Sequence, residues 1–255
     1  MLFDSHAHYN DDRFKDDVSD VLNSLCDNNV GFVMNACSSI DEIPYILNLS
    51  EKFPFLYASV GVHPHDVSNM SDDDIKILED YSKNEKVRAI GEIGLDYYYD
   101  HSPRDLQKKW FYEQIELAKK VNLPIIIHDR DAHKDTMDIL KIADAKKCGG
   151  VFHCYSGSKE MAKEVLNLGL YIAFGGSVTF KNAKNVQEAA SYVPLDRLLI
   201  ETDCPYLTPE PNRGKRNSSL YMHHTAKKLA EIKGVSEEEI EFHTTQNAKK
   251  LFRID

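Results

Sequence analysis

The chain has 255 residues, 42% of them apolar, which suits one large domain with a sizeable core and excludes a disordered or fibrous protein. Lys and Arg number 31 against 41 Asp and Glu, so the formal charge of −10 excludes wrapping nucleic acid by bulk attraction and obliges any polyanionic substrate to find a locally positive site. No apolar run approaches the roughly 18 residues of a membrane span, the start MLFDSHAHYN lacks a signal-peptide plan, and Cys26, Cys37, Cys148, Cys154 and Cys204 are scattered without a C-x-x-C pair; a cytoplasmic protein with reduced thiols and no membrane partner is expected.

Along the chain, short apolar runs bounded by turn residues recur as MLFDSH, VGFVMNA, LYASVGV, VRAIGEIGL, LPIIIH, GVFHC, LYIAFGG and RLLIETD, each the length of a buried parallel strand. The intervals carry helical period. Phe14, Val18, Val21, Leu22 and Leu25 keep to one face, as do Ile75, Ile77, Leu78 and Tyr81 behind Ser71 as an N-cap. Ser102 and Pro103 read as the N-cap and first position of a helix through Lys120, and Gly169 as the stop of a helix from Lys159. Ser236 with Glu239 reads as a capping box opening a last helix that carries Ile240 and Phe242. With no linker or repeat to divide it, residues 1–255 are expected to form one domain. Eight β-then-α units in about 250 residues predict an α/β fold of the (β/α)₈ barrel kind, with a doubly wound open sheet as the competing architecture.

Barrels of this kind carry their chemistry at the carboxyl ends of the strands, and the residues there are metal-like: His6 and His8, Glu92, His128, His153 and Asp203. His6 and His8 share a strand face by the i, i+2 rule, so both can reach one ion. An isolated H-x-H fits a hydrogen-bonded core imidazole and a turn residue equally well; the case rests on four more ligand-type residues ending four other runs. Six donors exceed a closed tetrahedral zinc site, and the imidazole and carboxylate mixture suits two ions. Glu92 is assigned as the bridge, and Asp203 as a ligand and general base toward a metal-activated water, the alternative for Asp203 being a helix N-cap.

Taken together, FDSHAH, VGVHPH, GEIGLDYY, IIIHDRDA, FHCYSGS, ETDCPYL and RGKRN resemble the TatD family of metal-dependent deoxyribonucleases, in family order over nearly the whole chain. The resemblance implies a TIM barrel of the amidohydrolase-like kind, one or two divalent ions (Mg²⁺, Mn²⁺ or Zn²⁺), and hydrolysis of DNA phosphodiester bonds, usually from a 3′ end. It places the metal ligands on His6, His8, Glu92, His128, His153 and Asp203. Three places depart from the family pattern, one of them His223-His224, which stands where a basic residue often precedes the His. Asp129 stands where Ser is common, either as an acceptor for an imidazole N–H or as a helix cap, and Tyr155 stands where Phe is common.

On the same rim, His63 is expected to donate to a phosphate oxygen or protonate the leaving alkoxide, or else to be a turn residue fixed by Pro64. His65 should share that rim. Glu201 shares a strand face with Asp203 and should orient a ligand or water. Arg213, Lys215 and Arg216 follow the eighth run and are expected to clamp phosphate, unless they form a merely solvated face. Tyr97, Tyr98 and Tyr99 either stack on unpaired bases or, for at least two of them, cover the barrel top. A monomer acting on single-stranded DNA or 3′ ends is expected. Hydrolysis of small amides or esters on the same barrel is the first alternative; Glu92, where a carboxylated lysine commonly bridges in such enzymes, counts against it. A non-catalytic metal-holding or partner-binding scaffold is the second, and ligands at strand ends count against that.

Overall fold

The computed structural model describes residues 1–255. All eight apolar runs are strands: β1 (Leu2–Ala7), β2 (Val30–Asn35), β3 (Leu56–Val60), β4 (Val87–Asp96), β5 (Ile125–Arg130), β6 (Gly150–Phe152), β7 (Tyr171–Phe174) and β8 (Leu198–Ile200). Each pairs with the next in parallel, in the order β1 to β8. Helices fill every interval: α1 (Val18–Leu25), α2 (Ile43–Lys52), α3 (Asp72–Tyr81), α4 (Arg104–Val121), α5 (His133–Ile142), α6 (Lys159–Asn167), α7 (Lys184–Tyr192), α8 (Met222–Lys233) and α9 (Glu237–Phe252). A strand followed by a crossover helix can rejoin a parallel sheet only in one hand, so the repeated unit rolls the sheet into a (β/α)₈ barrel. No helix is long and apolar enough to cross a membrane.

The barrel closes through side chains as much as through the ladder. Between β1 and β8 the regular pairing reduces to one bridge, Ala7 to Cys204. Buried Asp4 spans this seam: Oδ1 accepts the amides of His6 (3.3 Å) and Thr202 (2.9 Å), while Oδ2 accepts the hydroxyls of Thr202 and Ser219, both at 2.6 Å. Such a fully partnered buried carboxylate fixes β1 relative to the segment after β8, and so fixes His6 and His8 relative to Asp203.

Two apolar clusters hold the layers together. The larger lies between strands and helices; the smaller gathers Phe3, Met34, Ala89, Ile126, Val151, Ala173 and Leu199 from inside the barrel with Ala248, Leu251 and Phe252 of α9. That last helix therefore plugs the end opposite the strand carboxyl ends. Gly94 is required by close approach: at φ +152° it lies where a Cβ would stand 1.9 Å from the His128 carbonyl oxygen, so β4 and β5 meet here without a side chain between them.

Three local expectations are corrected. Phe14 is buried but lies in a separate 3₁₀ turn before α1, because Asp17 rather than Asp11 precedes the longer helix. Ile77 is 40% exposed, on the solvent side of its helix, since periodicity gives a spacing and not which face meets the barrel. Ser102 does not cap α4; its hydroxyl donates to the His65 carbonyl (2.7 Å) and accepts from Ser68 (2.8 Å), tying the loop after β3 to the loop after β4. By contrast Ser71 does cap α3, its amide and hydroxyl both donating to Asp74 (2.7 and 2.8 Å), and Ser236 accepts from the Glu239 amide to open α9.

Candidate metal centre

Parallel strands deliver residues at their carboxyl ends to one opening, and here that opening is a polar cavity of about 600 Å³. His8, Asn10, Asp11, Glu42, His63, His65, Asp66, Glu92, Asp96, Tyr99, His101, His128, Arg130, His153, Asp203 and Tyr206 are among its walls. All six residues singled out as ligands meet around its floor.

Glu92 organises them. Its Oε2 lies 3.2 Å from His6 Nε2 and 3.5 Å from His8 Nε2, with Asp203 Oδ1 3.8 and 3.5 Å from the same two nitrogens. Its Oε1 faces a different set, His128 Nδ1 at 2.7 Å, His153 Nε2 at 2.8 Å and His63 Nε2 at 3.5 Å. One buried carboxylate thus divides the donors into two groups, one per oxygen. Potential ligand atoms of His6, His8 and Asp203 lie within 4.8 Å of one another, as do those of His63, Glu92 and His128, and of His6, His153 and Glu201. His63 accordingly stands among the donors as well as on the rim, and Glu201 joins His6 and His153.

The electrostatics show what the cluster lacks. Burial opposes ionisation of Glu92, but the surrounding imidazoles hold its carboxyl well below the usual range. Burial likewise opposes charge on His8 and His128, yet Asp203 and Glu92 beside the first, and Asp96 and Glu92 beside the second, push both up to about 9. Burial and then His153 drive His6 down to about 4, and burial and then His128 carry His63 well below its ordinary value. Burial, with Asp203 adding to it, raises Glu201 far above a normal carboxyl. Protons held on His8 and His128 therefore place positive charge among the donors.

Those protons do not satisfy the cluster. His6 Nε2 faces His8 Nε2 at 3.0 Å, and buried His6 Nδ1, His153 Nδ1 and Glu201 Oε2 have no partner. Buried polar atoms left unpaired cost about 1–3 kcal/mol each, more when charged, and imidazole nitrogens and carboxylate oxygens gathered this closely would be stabilised by cations among them. The donor set, imidazole nitrogens with carboxylate oxygens and no thiolate, fits divalent ions of the Mn²⁺ or Zn²⁺ kind and, through its carboxylates, Mg²⁺.

Around the donors, sequence reasoning missed Asp96. Its Oδ2 accepts from His128 Nε2 (3.1 Å) and His65 Nε2 (3.0 Å), while Oδ1 accepts the amides of Tyr98 (3.0 Å) and Tyr99 (2.8 Å). By holding His128 Nε2–H it leaves Nδ1 turned to Glu92, the usual division of labour of a ligating imidazole. Asp129, weighed as such an acceptor, instead binds His133 Nδ1 (2.7 Å) and the Thr136 hydroxyl (3.2 Å) of α5. Glu201 accepts the amide of Cys154, and Tyr155 donates to the Ser158 carbonyl (2.7 Å).

The expected basic rim is corrected more sharply. Arg216 pairs with Asp17 (2.6 and 2.8 Å) and lies over Phe14, Lys215 reaches Asn212 (3.2 Å), and Arg213 lies over Phe180 at 4.0 Å. None of the three lines the mouth. The reason is local: Asn217 donates to the carbonyls of Thr202 and Tyr206, folding the loop back onto the segment after β8, and Arg216 is spent on Asp17 and the Arg13 carbonyl. Of the tyrosines, Tyr97 donates to Asp135 (2.8 Å), whereas Tyr98 and Tyr99 are exposed.

Known proteins agree with this arrangement. A family model described as TatD related DNase matches residues 3–253. A protein of Bacillus subtilis (strain 168) named as the uncharacterized metal-dependent hydrolase YabD is 47% identical over the full length of both chains. The crystal structure of YJJV, a TatD homologue from Escherichia coli K12, covers all of this chain and 98% of its own with a TM-score of 0.93 at 30% identity. At 14% identity, an organophosphorus hydrolase mutant from Deinococcus radiodurans shares the fold alone, with a TM-score of 0.69 over 98% of this chain and 92% of its own.

Proposed function

Because the chain belongs to the TatD related DNase family and is a metal-dependent hydrolase, we propose that the bond it hydrolyses is the phosphodiester of DNA, taken from the 3′ end of a single strand by a monomer. The carrying observation is Glu92, whose two oxygens face two separate donor groups at the floor of a mouth walled by polar and charged side chains. His6, His8 and Asp203 would hold one divalent ion, His128 and His153 the other, with Glu92 between them. Ions so held would neutralise the phosphoryl oxygens and acidify a water for attack.

The chain's own groups divide the rest. Burial resists charge on Asp203, but His8, His153 and His6 keep it ionised, and it is the more exposed of the two carboxylates facing His6 and His8, so it is the base placed to take a proton from the attacking water. His63 accepts the His65 amide at Nδ1 (3.2 Å), which leaves its proton on Nε2, pointing into the cluster. A neutral imidazole so fixed donates to a phosphate oxygen rather than protonating the leaving alkoxide. Asp96 positions His128.

The alternative, hydrolysis of small amides or esters, draws on the shared fold with organophosphorus hydrolases. Against it stands a mouth whose lining side chains are mostly ionisable or polar. Digestion of 3′- and 5′-end-labelled single-stranded DNA, with each divalent metal and with chelator, tests the reading. Stepwise shortening that chelator abolishes, and that Glu92→Ala lowers by at least about 10²–10³-fold, is expected. Chelator-insensitive cleavage, or an unchanged variant, contradicts it.

A further inference from the structure

An acidic mouth must still receive a polyanion, and the loop cations face away from it. Among the residues that line the mouth, Arg130 is the one Lys or Arg. It ends β5 two residues after His128, on the same strand face.

Its guanidinium is free for a reason that can be read off its neighbours. Asp96, which pairs with Arg130 across β4 and β5, has both oxygens filled, Oδ1 by the amides of Tyr98 and Tyr99 and Oδ2 by His65 and His128. Asp129, next in sequence, has Oδ1 on Thr136 and Oδ2 on His133. The two carboxylates beside it on the sheet, Asp96 and Asp129, are thus occupied, and no carboxylate forms an ion pair with Arg130. What holds Arg130 instead is a pair of rings, Tyr98 at 4.3 Å and Tyr99 at 5.1 Å from the guanidinium carbon, and Asp96 fixes that pair through its two amide contacts. A guanidinium resting on aromatic faces keeps its N–H groups in plane and unspent, preorganised for a bidentate anion.

We propose that Arg130, held over Tyr98 and Tyr99, binds the non-reacting phosphate next to the scissile bond, making this corner of the mouth a subsite for a neighbouring nucleotide. This rests on the nucleic-acid reading above. The neighbouring phosphate is chosen over the reacting one because Arg130 touches none of the grouped donors and stands one strand step outward from His128. The subsite gives selectivity for a strand of at least two phosphates, and it supplies the local positive charge that a chain of formal charge −10 otherwise withholds.

The test compares two substrates at saturating metal: bis(p-nitrophenyl) phosphate, which has one phosphodiester and no neighbour, and a short oligothymidylate. The readout is the ratio of kcat/KM on the oligonucleotide to that on the aryl diester. In Arg130→Ala and in the bulkier Arg130→Gln, both checked for an unchanged melting temperature, the ratio should fall about tenfold or more. Arg130→Lys should recover part of it, keeping the charge without the fork. The slope of log(kcat/KM) for the oligonucleotide against log salt should shrink by about 0.7, the share of one phosphate contact on a single strand. Tyr98→Ala with Tyr99→Ala should lower the same ratio by loosening the guanidinium. An unchanged ratio, whether both activities hold or both fall together, overturns the subsite while leaving DNA hydrolysis standing. A wild-type protein that cleaves no oligonucleotide overturns the nucleic-acid reading and the subsite with it.

Discussion

The two ends of the barrel are built from the same eight strands and solve opposite problems. At the amino end, Phe3, Met34, Ile126 and Leu199 meet Leu251 and Phe252 of α9 in a cluster of apolar side chains. At the carboxyl end, His6, His153 and Glu201 keep buried polar atoms without partners. Around the mouth the left-handed conformation falls to Cys154 and Leu207, side chains that seldom adopt it. Stability is concentrated at the closed end, and the open end is held in an otherwise unfavourable arrangement by it.

That division can be broken from either side. Phe252→Ala, which opens a cavity in the plug, should lower the free energy of unfolding by about 3–5 kcal/mol while the folded fraction keeps its kcat/KM, as denaturant titration beside activity assays would show. A matching loss of kcat/KM in the folded fraction would mean the plug also shapes the mouth. Asp96→Asn acts at the other end: it weakens the hold on His65 and His128 and should reduce metal affinity about 10–100-fold with little change in unfolding free energy. Were stability to fall and affinity to stay, Asp96 would be a turn-forming residue only.

The smallest effect sharpens the picture through pH. His8 and His128 are raised from 6.5 to about 9, so the stability they contribute in metal-free protein is fully present below about 6.5 and is lost as pH rises through 9. Glu201, raised by burial, loses stability in the same direction. The melting temperature of chelator-treated protein should therefore decline between pH 6.5 and 9, and saturating divalent metal should remove the decline. A flat metal-free profile would show that the imidazoles are not held charged by Glu92, Asp96 and Asp203.

Much of this was legible in the sequence, because strand length, turn residues and the i, i+2 rule depend on neighbours in the chain. Eight strands and the convergence of His6, His8, Glu92, His128, His153 and Asp203 follow from residues that close apolar runs. The same rule, applied once more from His128, would have found Arg130, and a count of four from Glu92 would have found Asp96 on the same strand. What local pattern does not contain is the partner. Arg216 looks like a rim cation until Asp17, 199 residues away, takes its guanidinium. The seam carboxylate Asp4 has partners as far off as Ser219, and the solvent-facing sides of α3 and α9 depend on which way each helix rolls against the barrel.

The central claim is that this mouth gathers its donors around divalent cations, with protons on His8 and His128 standing in their place until metal arrives. Calorimetric titration of metal-stripped protein with Mn²⁺ or Zn²⁺ at pH 7, in buffers of different ionisation enthalpy, measures this directly. Saturable binding that releases about two protons, and that disappears in Glu92→Ala, is the predicted result. Absence of saturable binding, binding without proton release, or binding indifferent to the loss of Glu92 would contradict the account.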